Sequence, residues 1–337
     1  MADEHVPESL TTWRRFYKRS GLRHFVRRRR HALVYHAGRA ALGPLQATSL
    51  PRALAFADRA ADVVYRALPG VRRLALEHLA IAFGDTHSPA AREDIAREAY
   101  RNMARLAVEL AKLDDIRPRF DEYISVEGWE HLEGVLAADR GAIAVSGKIG
   151  NWELLPAYVA YRGIAIAAVA KRQDDPRLNR LLTDFRTNNG VQVILRDSAT
   201  SAKETLRVLQ QRGILAMLLD MDVRVPSVSV PFFGRLARTP VAAAVLAVRR
   251  DIPVLPAFAQ RRPEGGHHIT IMPPILPPKS GDRQRDVLEL TRRFNEILED
   301  QIRRHPTEWN WWHRRWRRPP LPNFDLDATA PQAVASA

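Results

Sequence analysis

Cysteine is absent from the 337 residues, which excludes thiol nucleophiles, cysteine-ligated zinc, iron–sulfur clusters and any disulfide framework, and leaves the redox compartment open. Long apolar runs are missing too. The Ala- and Leu-rich stretch 32–68 is broken by Arg39, Pro44, Pro51, Arg52, Asp58 and Arg59, so a conventional membrane-spanning helix is not expected. The opening residues lack the apolar core and small-residue cleavage site of a secretory signal, which argues against export by that route. Acidic residues are in short supply: 38 Asp and Glu face 52 Lys and Arg, a formal net charge of +14. Such an excess points to polyanionic partners, namely nucleic acid, acidic lipid head groups or an acidic protein. Gly and Pro, at 17 and 23 residues, are at ordinary levels, so collagen-like and low-complexity classes fall away. The length suffices for one large domain or two modest ones without covalent staples.

The basic residues are concentrated at both ends. Between Trp13 and Arg30 there are nine Lys or Arg and no acid, interleaved with Trp13, Phe16, Tyr17 and Phe25. That mixture suits an anionic membrane surface, and phosphates of nucleic acid as the alternative. The division expected is a basic, helical, membrane-associating region over 1–70, an α/β domain over 71–322 and a flexible, Ala-rich tail over 323–337. An ordinary helical subdomain packed on the core is the plainer reading of the first region. No repeat and no internal linker is visible.

Within the middle region a long amphipathic helix is predicted over Ser88–Leu113, opened by Ser88 and Pro89 as cap and first-turn pair. Short apolar runs then alternate with helical patterns. Strands are predicted at Ala142–Ser146, Ile164–Ala170, Val191–Leu195, Ile214–Leu219, Val228–Phe233, Pro253–Ala259 and His268–Met272. Helices are predicted at His131–Ala138, Trp152–Tyr161, Pro176–Asn188, Ser201–Gln211, Pro240–Arg249 and Arg285–Arg303. This alternation argues an α/β fold with a mixed central sheet flanked by helices, in which sites gather at the carboxyl ends of strands.

The strand AIAVS runs into Gly147, Lys148, Ile149, Gly150 and Asn151, then into a helix. Asn151 is a fair cap, and Glu153 falls in the first turn, where the helix dipole favours its ionised form. Lys148 and Glu153 are five residues apart, about 140° on a helix, so only a loop-to-helix junction brings them together. His267 and His268 sit side by side on a strand and point to opposite faces, which excludes them as a metal pair. No spacing such as HExxH suggests a metal, and none is expected.

The string SGKIGNWE resembles the HxGNWE block of bacterial late acyltransferases of lipid A biosynthesis, the lauroyl and myristoyl transferases of the wider lysophospholipid/glycerolipid acyltransferase superfamily. The resemblance continues in order through the Arg172 segment and DFRTNNG, LLDMD, VPFFGRLARTPVAAAVLA, VLPAFAQRR and PTEWNWWHRRWRRPP, covering about Val71 to Pro320. It implies a glycerolipid acyltransferase-like fold on the cytoplasmic face of the bacterial inner membrane, monotopic or peripheral. It further implies acyl transfer from acyl carrier protein or acyl-CoA to a hydroxyl of an anionic glycolipid or lysophospholipid, with no cofactor. Nucleic acid is not an expected partner, because no nucleic-acid module accompanies the charge.

At the position of Lys148 the family carries a histidine that acts as general base on the acceptor hydroxyl, oriented by an acid at the position of Glu153. A lysine is not equivalent: to be a base it must be neutral, and a nearby carboxylate opposes that. Three readings stay open. The chain is a disabled homologue or mutant that binds lipid without acyl transfer; or Lys148 serves as base or as cation for the oxyanion; or the base lies elsewhere, with His313 as the reserve candidate. Arg186 and Asp220 match positions that the resemblance marks as important. The candidate catalytic set is therefore Lys148, Glu153, Arg186 and Asp220, with Asp222 as a second acid. The candidate substrate-binding set is Asn151, Arg172, Phe232, Phe233, Gly234, Arg238, Thr239, His313, Arg314 and Arg315. Arg238 and Thr239 are expected to face a phosphate at the start of the helix opened by Pro240. Trp309, Trp311, Trp312 and Trp316, interleaved with arginines, suit a head-group interface, with at least two of them in the core.

Overall fold

A computed structural model describes residues 43–321 apart from Asp139, together with His36, Gly38 and Ala40. The basic segment between Trp13 and Arg30 and the tail 323–337 lie outside these residues. After helical residues 43–47 come three helices, α1 (Leu50–Ala67), α2 (Pro69–Phe83) and α3 (Pro89–Ala111). They lead through three short turns (Leu113–Ile116, Arg117–Arg119 and Phe120–Tyr123) to β1 (Ile124–Glu127), α4 (Trp129–Ala137), β2 (Ala142–Ser146), α5 (Leu154–Tyr161), β3 (Ile166–Ala170) and α6 (Pro176–Asn188). The remainder is β4 (Val191–Leu195), α7 (Ser201–Gln210), β5 (Ile214–Leu218), β6 (Ser227–Phe232), β7 (Arg235–Pro240), α8 (Ala242–Arg250), β8 (Val254–Arg261), β9 (His267–Ile271) and α9 (Arg283–Arg304).

Local chemistry accounts for the helix starts. Ser88 accepts from the Ala91 N–H at 3.2 Å, Asp175 from Arg177 at 2.9 Å, and Asp282 from Gln284 and Arg285 at 2.9 and 3.1 Å, each satisfying orphan first-turn donors. Pro89 and Pro176 follow their caps, where the missing N–H costs nothing.

Seven strands form one sheet in the order β1-β9-β8-β2-β5-β3-β4, parallel throughout except for the antiparallel β8–β9 pair. The expectation of a mixed α/β sheet flanked by helices therefore holds. β2 lies in the middle, and its side chains divide by alternation: Ile143 and Val145 join the core under α2, α3, α8 and α9, while Ala142 and Ala144 join the core under α5. Helix α9 buries Val287, Leu290, Phe294, Leu298 and Ile302 at three- and four-residue spacing against the first face.

Two expectations change. The run Val228–Phe233 is not part of the central sheet but the first arm of a separate antiparallel hairpin, β6–β7. Arg238 and Thr239 lie inside β7, so they are not at a helix start and do not form the expected phosphate site. Phe233 and Gly234, at φ +50° and +69°, make the tight turn between the arms, which is why a glycine stands there. Helix α1 packs along α3 through Ala53, Ala57 and Ala61, and Asp58 and Asp62 pair with Arg105, Arg97 and Arg101. Residues 50–67 thus pack on α3. No helix among the described residues is long and apolar enough to cross a membrane.

Candidate functional site

Parallel pairing of β2 with β5 places Ser146 opposite Leu218, so the loops that follow, Gly147–Lys148 and Leu219–Asp220, leave the sheet side by side at its carboxyl edge. There the Lys148 N–H donates to Asp220 Oδ2 at 2.8 Å, and the Trp309 indole N–H donates to the same oxygen at 2.8 Å. Asp220 is 2% exposed, and its other oxygen, Oδ1, is buried without a partner. Lys148 is half-buried, with Nζ 5.8 Å from the centre of the Trp152 ring. No carboxylate pairs with it among the described residues.

Glu153 does not reach Lys148. It forms a two-point pair with Arg186, Nε to Oε2 at 2.9 Å and Nη2 to Oε1 at 2.6 Å, the geometry in which a guanidinium fork matches a carboxylate. Both side chains border an apolar cavity of about 60 Å³ between the sheet and α5, walled by Ala144, Leu155, Ala168 and Met217. The loop-to-helix junction therefore separates the two members of the motif: the residue at 148 is tied to Asp220, the acid at 153 to Arg186.

Asn151 is wholly enclosed. Its Oδ1 accepts from the Leu154 N–H at 3.2 Å, the capping role expected of it, while its Nδ2 donates to Glu109 Oε2 at 2.8 Å. Substrate contact by Asn151 is thereby replaced by a structural function. Glu109 is the centre of a buried network that sequence reasoning missed. It also accepts from Arg261 at 2.6 and 2.9 Å and from the Tyr123 hydroxyl at 2.8 Å, and lies 3.1 Å from His267 Nε2. Burial by itself raises the Glu109 pKa, but His267 and Arg261 outweigh it and hold the carboxyl well below its usual range. His268, on the other face of β9 as expected, contacts Ser125 instead.

The loop is fixed from a third side. The Gly150 N–H donates to the Glu308 carbonyl at 3.0 Å, the Asn151 N–H to the Ala259 carbonyl at 2.9 Å, and Ile149 bridges Trp309. Glu308 accepts from the Arg261 N–H with both oxygens, and burial raises its pKa to about 7. Glu308 and Trp309 lie in the Trp-rich ending, which closes over the carboxyl edge. The signal that could have found Glu109 is its position: it continues the stripe of Ile95, Ala99 and Leu106 on α3, where a charge is out of place.

The other candidates are dispersed. Arg172 is exposed and paired with Asp197 at 3.2 Å. Asp222 is bound by Arg318 at 2.7 Å. Phe232 and Phe233 are core residues packed on Trp309, Trp316, Phe83 and Trp311, and Gly234 belongs to the hairpin turn; none of the three borders the cavity. Arg238 donates to the Pro319 carbonyl at 2.7 Å. Thr239 and Arg315 are fully buried and hydrogen-bonded to each other at 2.8 Å, with Asn295 beside them, and so are withdrawn from a substrate. Arg314 is exposed. Trp309 and Trp311 are core, as expected of two of the four tryptophans. His313 is the exception. Its Nε2 is buried without a partner, and the charges of both Asp220 and Lys148 act on the ring.

A model of the bacterial lipid A biosynthesis acyltransferase family matches residues 22–318. The chain belongs to that family. Among its relatives, a phosphatidylinositol mannoside acyltransferase of Mycobacterium tuberculosis is 26% identical over 196 residues, 57% of this chain and 59% of the relative's length. The protein of the same description from Mycolicibacterium smegmatis is 25% identical over 229 residues, 66% of this chain and 73% of the relative. A lipid A biosynthesis lauroyltransferase of Escherichia coli is 25% identical over 205 residues, 60% and 64% of the two chains.

Proposed function

We propose that this protein transfers a fatty acyl chain from a thioester donor, acyl carrier protein or acyl-CoA, to a hydroxyl of an anionic glycolipid. The observation that carries this reading is the ion pair of Glu153 and Arg186 at the rim of an apolar cavity. A cation fork at the rim of an apolar recess suits a thioester: developing negative charge on the carbonyl oxygen meets a positive group in a desolvated site. Lipid A precursor and mannosylated phosphatidylinositol are the two acceptor classes that the names of the relatives supply.

The membrane surface supplies the acceptor in this reading. The outer face of α1 presents Arg52, Phe56, Arg59, Val63 and Arg66 at three- and four-residue intervals, with Phe56 61% and Val63 65% exposed. Apolar side chains alternating with arginines fit the head-group region of an anionic leaflet, consistent with a place on the cytoplasmic face of the inner membrane. The basic surface also favours an acidic carrier protein as donor.

Lys148 supports a second reading, a homologue that binds lipid without transferring an acyl chain. One experiment separates the two. Labelled dodecanoyl groups on acyl carrier protein or coenzyme A are offered with lipid A precursor and with phosphatidylinositol mannoside, to the chain and to Lys148→His. Turnover by the unaltered chain supports transfer; turnover by Lys148→His alone supports the inactive reading.

A further inference from the structure

We propose that Arg196 binds the phosphate of the pantetheine arm through which acyl carrier protein and coenzyme A both carry an acyl chain. The proposal rests on the acyl-transfer reading above and gives the donor its place in it. Four strands, β8, β2, β3 and β4, run into cationic residues at the carboxyl edge of the sheet: Arg261, Lys148, Lys171 with Arg172, and Arg196. Most of these charges are taken. Arg261 holds Glu109, Lys171 lies 3.5 Å from Asp174, and Arg172 pairs with Asp197 at 3.2 Å. The Lys148 ammonium rests beside the Trp152 ring. The Arg196 guanidinium is half-buried and has neither a hydrogen bond nor an ion pair among the described residues. Asp197, next to it in sequence, is given to Arg172 instead.

The backbone fixes where Arg196 stands. Its N–H donates to the Ala170 carbonyl at 3.0 Å, which carries the β3–β4 ladder one residue past Leu195, and the Ser198 N–H closes the turn on the Leu195 carbonyl at 2.8 Å. Ala170 lines the cavity that Glu153 and Arg186 border. Arg196 therefore starts one strand away from the wall of the cavity at whose rim the thioester is placed. Neighbouring strands lie about 4.8 Å apart, so the ends of β2 and β4, three steps apart in the order β2-β5-β3-β4, are separated by about 14 Å. The pantetheine arm between phosphate and sulfur crosses such a span when extended, so the sulfur reaches the cavity rim while the phosphate stays at β4.

The chemistry of the group agrees. A guanidinium is a planar fork of donors that matches two phosphate oxygens, and desolvating it without an acceptor is costly. Burial pulls Arg196 below its ordinary pKa and the charge of Asp197 opposes this; a phosphate in contact would reverse the shift. Arg186 is the poorer phosphate ligand, because its Nε and Nη2 are already given to Glu153. A phosphate on the acceptor lipid offers the same chemistry as the donor's, and separate kinetics for the two substrates tell them apart.

The test uses the full chain with the labelled dodecanoyl donors and the acceptors above. Arg196→Gln is expected to raise KM for both donors about tenfold or more, the scale of a lost charge-assisted hydrogen bond, with kcat within about twofold. Dodecanoyl-N-acetylcysteamine carries the thioester without a phosphate, and its KM is expected to be the same for both proteins. Arg180→Gln removes an equal charge from an exposed position on α6 and is expected to change none of these values. A rise in KM for the acceptor and not for the donors assigns the phosphate to the lipid and overturns the proposal. An equal rise for the phosphate-free thioester, or an equal effect of Arg180→Gln, overturns it too. A binding measurement needs no turnover: by calorimetry the unaltered chain is expected to bind phosphopantetheine about tenfold more tightly than pantetheine, and Arg196→Gln to bind the two alike. Equal binding of both by the unaltered chain removes the phosphate site. Should that chain prefer phosphopantetheine yet transfer nothing to either acceptor, the acyl-transfer reading falls and the phosphate site at Arg196 stands.

Discussion

Both oxygens of Glu109 accept hydrogen bonds from the Arg261 guanidinium, at 2.6 and 2.9 Å, with the carboxylate fully enclosed. The pair links α3 to the end of β8, and through Asn151 it holds the loop that carries Lys148. Removing one partner of such a pair leaves an uncompensated buried charge. Glu109→Gln is therefore expected to lower unfolding stability by about 3–5 kcal/mol. Urea titration checks this: the midpoint falls while the slope stays constant. Because the paired carboxyl is held below its usual range, its contribution is present above the ordinary carboxylate pKa and is lost as pH falls through and below it. The difference in stability between the unaltered chain and Glu109→Gln should shrink accordingly toward acid pH.

The helix Pro176–Asn188 was legible to the residue, because a capping Asp and a first-turn Pro mark its start locally. Strand β2 was legible because a centrally buried parallel strand is apolar throughout. Strand β7, RLARTP, was not: a two-stranded hairpin needs neither alternation nor a run of apolar residues, and its partner β6 looked like another sheet strand. The candidate site was half legible. The resemblance pointed to Lys148, Glu153, Arg186 and Asp220 as candidates, but their pairing depends on register: β2 opposite β5 delivers Asp220 to the Lys148 N–H, and α6 delivers Arg186 to Glu153. Glu109 and Arg261 are 152 residues apart, and no local pattern couples them.

Gly150 tests how closely the loop is held. Its φ is +58°, and a Cβ there would stand 1.9 Å from the Ala259 carbonyl oxygen and 2.7 Å from Glu308 Oε2. The first of these atoms is backbone in the sheet and cannot yield without breaking the Asn151 contact. Gly150→Ala is expected to combine this clash with a left-handed conformation that costs a side chain about 1–2 kcal/mol. A lowered thermal midpoint is the outcome; a midpoint equal to that of the unaltered chain counts against this loop conformation.

Glu308 makes stability depend on pH in the opposite sense to Glu109. Burial raises its pKa from 4.5 to about 7. The folded chain therefore binds a proton that the unfolded chain releases, and the associated stability is full below pH 4.5 and lost as pH rises through 7. The span corresponds to about 3 kcal/mol at 1.36 kcal/mol per pKa unit. Glu308→Gln keeps an acceptor for the Arg261 N–H and removes the titration. Denaturant midpoints measured from pH 5 to 8 should fall less steeply for Glu308→Gln than for the unaltered chain.

The pair of Glu153 and Arg186 is open to a double-mutant cycle. The side chains are only 9% and 17% exposed, so either single change, Glu153→Gln or Arg186→Gln, strands a half-desolvated charge, whereas the double change strands none. The double variant should accordingly be more stable than the sum of the singles predicts, by about 0.5–3 kcal/mol. Activity is expected to behave differently. Arg186 faces the cavity as the only guanidinium among its lining residues, and no neutral side chain offers a charge to an oxyanion, so Arg186→Gln loses kcat whether or not Glu153 is also changed. Recovery of stability without recovery of turnover in the double variant assigns the arginine to the reaction and the glutamate to its placement; recovery of both would reduce the pair to a structural bridge.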